Sequence, residues 1–223
     1  MGGVGAWCRA AAGSDPRARL WTYVDSPRAL RAAVKKHRPR WVFLLHWRWR
    51  VPADVLRATE VVGFHMTKLP WGRGGSPLQH LILLGKRRTT LTAFRVTDEL
   101  DAGPIYATAR LDLRGSAAEV YERAAYLSLW MASWVVNGVT GQPKPQRALR
   151  ATDRRFVRRT ANALPVLGLT ARGVYDYVRM LDAPGYEHAY LEVGDWRFSF
   201  TDAGHERGSK GVTASVRITR RKA

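Results

Sequence analysis

The chain has 223 residues, 46% of them hydrophobic, and a formal net charge of +19 at pH 7. Its apolar content suffices for one sizeable core and excludes a disordered polypeptide, while no apolar stretch is long enough to cross a bilayer and no secretion pattern opens the chain. Cys8 is the single cysteine, so no internal disulfide can form, and no Cys/His cluster has the spacing of a zinc site. A soluble, cytoplasmic protein without a metal is expected. The cations, mostly Arg, are densest at Arg147–Arg159 and Arg217–Lys222. They fit either a surface that attracts phosphates or a composition biased towards Arg and Ala.

In chain order, Arg19–Val24 reads as a short strand, and Pro27 opens a helix with Leu30, Ala33 and Val34 on one face, ending before Pro39. The apolar run Trp41–Leu45 has the pattern of a strand buried on both faces, as in a parallel sheet, and Pro52–Leu56 starts a short helix. Val61–Met66 is a further strand. The Gly-rich loop Pro70–Gly75 leads into a helix with Pro77 in its first turn and Leu78, Ile82 and Leu83 towards the core. Thr89–Thr97 and Gly103–Leu113 read as strands joined by a tight loop at Asp98–Ala102. Ser116 and Glu119 form a capping box before a long helix striped with Val120, Ala124, Leu127, Met131 and Val135, and Gly138 or Gly141 stops it.

Strands alternating with helices predict an α/β domain over residues 1–145 with a largely parallel, Rossmann-like sheet. A basic linker (146–160) and a small C-terminal α+β domain (161–223) follow. The latter offers a helix at Thr170–Leu181 and strands at His188–Val193, Trp196–Phe200 and Val212–Ile218.

Ligands of open α/β sheets sit at the carboxyl ends of strands. His65 falls at such an end, and Asp101 lies in the loop before Gly103-Pro104. A carboxylate beside a histidine can hold one tautomer and support proton relay or oxyanion stabilisation. The ordered run Phe64-His65-Met66-Thr67, Leu69-Pro70, Gly72-Arg73-Gly74-Gly75-Ser76-Pro77-Leu78-Gln79 and Asp98-Glu99-Leu100-Asp101-Ala102-Gly103-Pro104-Ile105 resembles the formyltransferase family, which includes methionyl-tRNA formyltransferases and amino-sugar N-formyltransferases. The resemblance extends over Trp41–Pro52 and Arg159–Ala203.

That resemblance implies the formyltransferase fold and transfer of a formyl group from 10-formyltetrahydrofolate, the co-substrate, onto an amine. His65 matches the family's catalytic histidine and Asp101 its aspartate. Where the family carries Asn, this chain has Gly63, and Met66 stands where the family has Pro. A replacement oxyanion donor is sought among Thr67, His46 and His80, or in a backbone N–H exposed at Gly63. Leu45, His46, Trp47, Val96, Asp98, Glu99 and Leu100 are matched to the folate-binding loops, although Trp47 and Trp49 also suit core packing. Gly72, Arg73, Gly74 and Gly75 form a loop suited to an anionic substrate, with solvated surface as the other reading of Arg73.

With only Met1–Arg19 before the first strand, one βα unit is expected to be shortened or missing. Gly2-Gly3-Val4-Gly5 is no dinucleotide fingerprint. The acceptor expected first is a small amine, neutral or anionic, such as an amino sugar or a natural-product precursor. Aminoacyl-tRNA is the alternative, as are hydrolysis of formyl-folate and a degenerate binding protein. The C-terminal unit is expected to cover the site or to form a homodimer surface.

Overall fold

In the computed structural model, which describes residues 21–165, 167–206 and 208–221, helix α1 (Pro27–His37) starts where the Ser26 hydroxyl accepts the Ala29 N–H. Leu30 and Val34, about one turn apart, are its buried residues. Trp21–Val24 is irregular instead of the expected strand. Arg19 lies outside the described residues, as do Cys8, Gly2-Gly3-Val4-Gly5 and Lys222.

Strand β1 (Trp41–Leu44), helix α2 (Ala53–Ala58) and strand β2 (Glu60–His65) form a β-α-β unit with parallel pairing, Trp41 opposite Glu60 and Leu44 opposite Gly63. The loop after β2 contains a two-residue strand, β3 (Arg73–Gly74), and delivers the chain into α3 (Pro77–Leu83). Leu78, Leu81 and Ile82 are buried there, whereas Leu83, expected to face the core, is exposed. At 100° per residue Leu83 points well away from the Leu78–Ile82 face.

Strand β4 (Arg88–Arg95) then lies antiparallel to β2, and β5 (Ile105–Asp112) returns beside it as a hairpin. The described sheet, ordered β1-β2-β4-β5, is therefore mixed, with one parallel and two antiparallel pairings, where a largely parallel one was expected. The antiparallel pairing of β4 with β5 follows from the short loop at Asp98–Ala102, which allows a hairpin but not the crossover that a parallel neighbour requires.

Helix α4 (Ala117–Val136) opens with the capping box: Ser116 accepts the Glu119 N–H and the Glu119 carboxylate accepts the Ser116 N–H. Val120, Ala124, Met131 and Val135 pack beneath the sheet with Val62, Leu91, Ala93 and Leu111. The chain beyond α4 runs extended, and its two-residue strand β6 (Arg155–Phe156) pairs in parallel with β3. Helix α5 (Ala171–Arg179), capped by Thr170, follows. The antiparallel sheet of β7 (Ala189–Val193), β8 (Trp196–Gly204) and β9 (Thr213–Arg220) completes the described chain. The core is continuous across these parts, since Tyr177, Val178, Met180 and Ala189 belong to the same buried cluster as α3 and α4. Arg179 fastens α5 by pairing with Asp176 at 2.6 Å and donating to the Leu113 and Gly115 carbonyls, each at 2.8 Å.

Candidate active site

Alternation along β2 places Gly63 and His65 on one face, and the antiparallel neighbour sets Phe94 opposite the first and Thr92 opposite the second. His65 is buried at the strand's carboxyl end. Its Nε2 lies 2.8 Å from the Gly72 carbonyl oxygen. A carbonyl can only accept, so Nε2 carries the hydrogen and Nδ1 is left to face the partner on its other side. That partner is Asp101, whose Oδ2 is 3.6 Å from Nδ1. The separation is too long for a direct hydrogen bond but short for a charge pair once the imidazole is protonated. The sequence assignment of His65 with Asp101 thus corresponds to two side chains that meet.

Asp101 sits in the left-handed region at φ 52°, a conformation uncommon for a residue with a side chain. Bonds from two residues, Gly74 and Gln146, hold it there. The Gly74 N–H donates to Oδ2 at 2.9 Å, and the Gln146 side-chain amide donates to the Asp101 carbonyl at 2.8 Å and to the Gly103 carbonyl at 2.9 Å. Gly103 is obligatory here, because a Cβ would lie 1.8 Å from the Arg95 carbonyl oxygen. Gln146 was not singled out from the sequence. Nothing in its local pattern marks it, and its partners lie more than forty residues away.

The loop at Gly72–Gly75, expected to cradle an anion, is committed to the protein instead. The Gly72 N–H donates to Arg154 O, that of Gly74 to Asp101 and that of Gly75 to Phe156 O. Glycine is required at Gly74, where φ is 116° and a Cβ would stand 2.0 Å from Phe156 O. Arg73 is neither solvated nor aimed at an open site. It is buried, donates to Gln146 Oε1 through Nε and Nη2, and reaches Glu99 at 3.0 Å through Nη1. The correction has a simple cause: the pairing of β3 with β6 consumes the amides that a helix-opening loop would otherwise present.

Three side chains were considered as replacement oxyanion donors. Thr67 is fully buried and its Oγ1 has no hydrogen-bond partner among the described residues. His80 stacks on Phe156 at 4.5 Å and donates Nε2–H to the Val157 carbonyl at 2.7 Å, so its donor is spent. His46 packs edge-on against Tyr121 at 4.5 Å, and burial pushes its imidazole down to about 4. Tyr121 in turn stacks on Tyr186 at 5.3 Å and receives a bond from Gln79. Burial pushes the Tyr121 hydroxyl well above its ordinary value, as it does that of Tyr186 to a smaller extent.

Gly63 itself is buried, so no N–H lies open there. A Cβ at this position would meet the Phe94 ring at 3.0 Å and Val96 Cγ2 at 3.1 Å. The volume in which an asparagine side chain would begin is filled with hydrocarbon.

Of the residues matched to folate-binding loops, Trp47 and Val96 pack against one cluster formed by Leu30, Leu44, Val51 and Val61. Leu45 turns instead to Ala125 and Leu129. The two loops are linked by Arg50, which donates to the Asp98 carbonyl at 3.5 Å, while Glu99 holds Arg73 and Leu100 is exposed. Trp47 and Trp49 meet at 5.0 Å in a T-shaped pair, and Trp47 Nε1 is buried without a partner among the described residues. A recess of about 480 Å³ beside the His65 loop is lined by Lys68, Leu69, Trp71, Lys86, Arg147 and Arg150. No group of three metal-binding side chains occurs among the described residues, and no helix there is long and apolar enough to cross a membrane.

Comparison with known proteins finds similarity to formyltransferases. Residues 164–219 match the family described as methionyl-tRNA formyltransferase, C-terminal domain. A methionyl-tRNA formyltransferase of Thermobifida fusca is 34% identical over 90 residues, which is 38% of this chain and 29% of that protein. The chain thus matches under a third of the length of this curated relative. The solved methionyl-tRNA formyltransferase from Clostridium thermocellum superposes with a TM-score of 0.84 at 30% identity, covering 96% of this chain and 95% of that one. Two further structures share the fold. HypX from Aquifex aeolicus in complex with tetrahydrofolic acid has a TM-score of 0.65 at 18% identity, covering 83% of this chain and 34% of that one. A sugar N-formyltransferase from Shewanella gives 0.54 at 17% identity, covering 78% and 72%.

The fold is of the α/β class and is shared with solved formyltransferases. The chain belongs to the formyltransferase family. Within it, the relatives at 30% identity and above include methionyl-tRNA formyltransferases.

Proposed function

We propose that the chain transfers a formyl group from 10-formyltetrahydrofolate to the amino group of an aminoacyl-tRNA, methionyl-tRNA being the acceptor that its relatives indicate. The observation that carries the proposal is His65 buried at the end of β2 with Nδ1 turned towards Asp101. The acceptor is favoured by the net charge of +19 and by the basic recess at Lys68, Lys86, Arg147 and Arg150. A small amine is the acceptor expected first from the sequence, and a likeness of fold to a sugar N-formyltransferase supports it.

In this reading an unprotonated amine attacks the formyl carbon. The carbonyl electron pair moves to oxygen, the attacking nitrogen gives up a proton, and collapse of the adduct breaks the bond to the folate nitrogen, which takes up that proton. His65 supplies Nε2–H to the developing oxyanion in exchange for Gly72 O, and Asp101 balances the imidazolium. Thr67 is the donor candidate with an unspent hydroxyl. The co-substrate supplies the activated formyl group, and the loop that carries Trp47, whose buried Nε1 has no partner among the described residues, is one of those matched to folate binding.

A specific observation favours a second reading. The hydrocarbon filling beside Gly63 removes the place of the family Asn, as in a protein that binds folate or RNA without turnover. Rapid-quench assays with radiolabelled formyl donor and methionyl-tRNA separate the two. Transfer by the wild type that falls on the order of 10²–10⁴-fold in His65→Ala supports the enzyme. Transfer unchanged in His65→Ala sinks it, and folate-analogue binding without transfer supports the binding protein.

A further inference from the structure

Gln146 stands outside the segments that carry His65 and Asp101, yet all its hydrogen-bonding capacity is spent on them. Both N–H groups of its amide are donated, to Asp101 O and Gly103 O, and its oxygen accepts twice from Arg73, at 3.2 and 2.8 Å. Arg73 follows Gly72, whose carbonyl fixes His65 Nε2, and precedes Gly74, whose N–H fixes the Asp101 carboxylate. One side chain therefore ties the backbone that orients the histidine to the backbone that presents the aspartate.

The segment that carries Gln146 is itself anchored. Lys144 exchanges two backbone bonds with Ile105, at 2.7 and 2.8 Å, just past the Asp101 loop. Asp101 also occupies the left-handed region, which a residue with a side chain retains only when its surroundings over-determine it. The neighbouring residues Arg147 and Arg150 line the recess beside the His65 loop, so that lining is continuous in sequence with the stretch that holds Asp101.

We infer that Gln146 is a positioning residue: through the Asp101 carbonyl and Arg73 it sets the Asp101 carboxylate against His65 Nδ1. Its effect on rate rests on the proposal that this pair serves formyl transfer. Its effect on geometry does not.

Two substitutions test the inference. Gln146→Glu keeps an acceptor for Arg73 but has no N–H for the Asp101 and Gly103 carbonyls, and Gln146→Leu removes both halves of the bridge. Each variant is read in two ways. The first is steady-state transfer, where kcat should fall on the order of 100-fold with KM for the formyl donor unchanged, as expected when a reacting group is displaced without loss of binding. The second is the ¹⁵N ring signals of His65 in the free protein at one fixed pH, identified by their loss in His65→Gln. They should move in both variants, because the charge facing Nδ1 has shifted.

Ring signals that move while the wild type transfers nothing uphold the inference and refute the enzymatic reading instead. Ring signals that stay in place in a folded Gln146→Glu protein overturn the inference, whether or not kcat changes. If Gln146→Leu does not fold, Gln146→Glu with its retained Arg73 partner decides alone.

Discussion

The loop assembly around His65 and the outer sheet β7–β8–β9 are both built from short segments, but they are held in different ways. In the assembly, backbone from three distant stretches of chain is cross-bonded: Gly72 to Arg154, Gly74 to Asp101, Gly75 to Phe156 and Gln146 to Asp101 and Gly103. In the outer sheet each strand is bonded mainly to its sequence neighbour, and every residue of β9 is exposed. Phe200 of β8 and Leu191 of β7 reach the core, while Val216 and Ile218 of β9 do not. The first region fixes a geometry and tolerates little change. The second presents a surface, including Arg217 and Arg220, and its composition is correspondingly free.

The largest effect should come from the tightest contact in the assembly. Gly103→Ala would force a methyl to within 1.8 Å of Arg95 O, so the backbone must move, at a cost of at least about 3 kcal/mol. Val216→Ala, on the exposed strand β9, should stay within about 0.5 kcal/mol of the wild type. Urea unfolding midpoints measure both. A Gly103→Ala protein of wild-type stability would mean that the loop is not rigid, and the contrast between the two regions would collapse.

These regions also differ in how far the sequence revealed them. The strands, the capping box at Ser116 and Glu119 and the amphipathic stripe of α4 follow from local pattern, which depends on neighbours within one or two turns. His65 and Asp101 were recognisable because each stands in a motif of contiguous residues. The pairing of β3 with β6 joins only two residues of each segment across some eighty positions, and so short a ladder has no periodicity to read. Gln146 and the buried role of Arg73 depend on that pairing and were hidden with it. The mixed character of the sheet was legible in principle, since the short loop at Asp98–Ala102 permits only a hairpin, but the apolar run Trp41–Leu45 suggested parallel neighbours throughout.

Acid should act on the interior before it acts on the outer sheet. Burial holds the His46 imidazole down to about 4, against an ordinary value of 6.5. Between those two values the unfolded chain binds a proton that the folded chain refuses, so stability is intact above pH 6.5 and falls as the pH drops towards 4. At about 1.4 kcal/mol per unit, reduced because the ring is only partly covered, the loss should reach about 2 kcal/mol. His46→Asn removes the titration and suits the left-handed φ of 53° at this position. Its urea midpoint should therefore change less between neutral pH and pH near 4 than that of the wild type. Equal slopes in the two proteins would show that His46 is not the residue responsible.

The smallest predicted effect in the interior addresses Gly63, where the family resemblance leads one to expect an asparagine. Gly63→Asn introduces a side chain whose Cβ alone meets the Phe94 ring at 3.0 Å and Val96 at 3.1 Å. A ring in a packed core can shift by tenths of an ångström, so the cost should be about 1–2 kcal/mol, as for other overpacked sites, and not a loss of folding. Transfer should not rise, because the amide would have to share its space with hydrocarbon. Phe94→Ala opens that space at its own cost, and in the double variant Gly63→Asn with Phe94→Ala the two penalties should partly cancel. A double-mutant cycle of unfolding midpoints measures the coupling. Penalties that add without coupling would mean that Phe94 does not occupy the asparagine's place. Strong coupling together with faster transfer than the wild type's would show that the glycine and the phenylalanine act as one unit. The barrier to family-type catalysis would then be a matter of packing at this one position, with the His65–Asp101 geometry beside it intact.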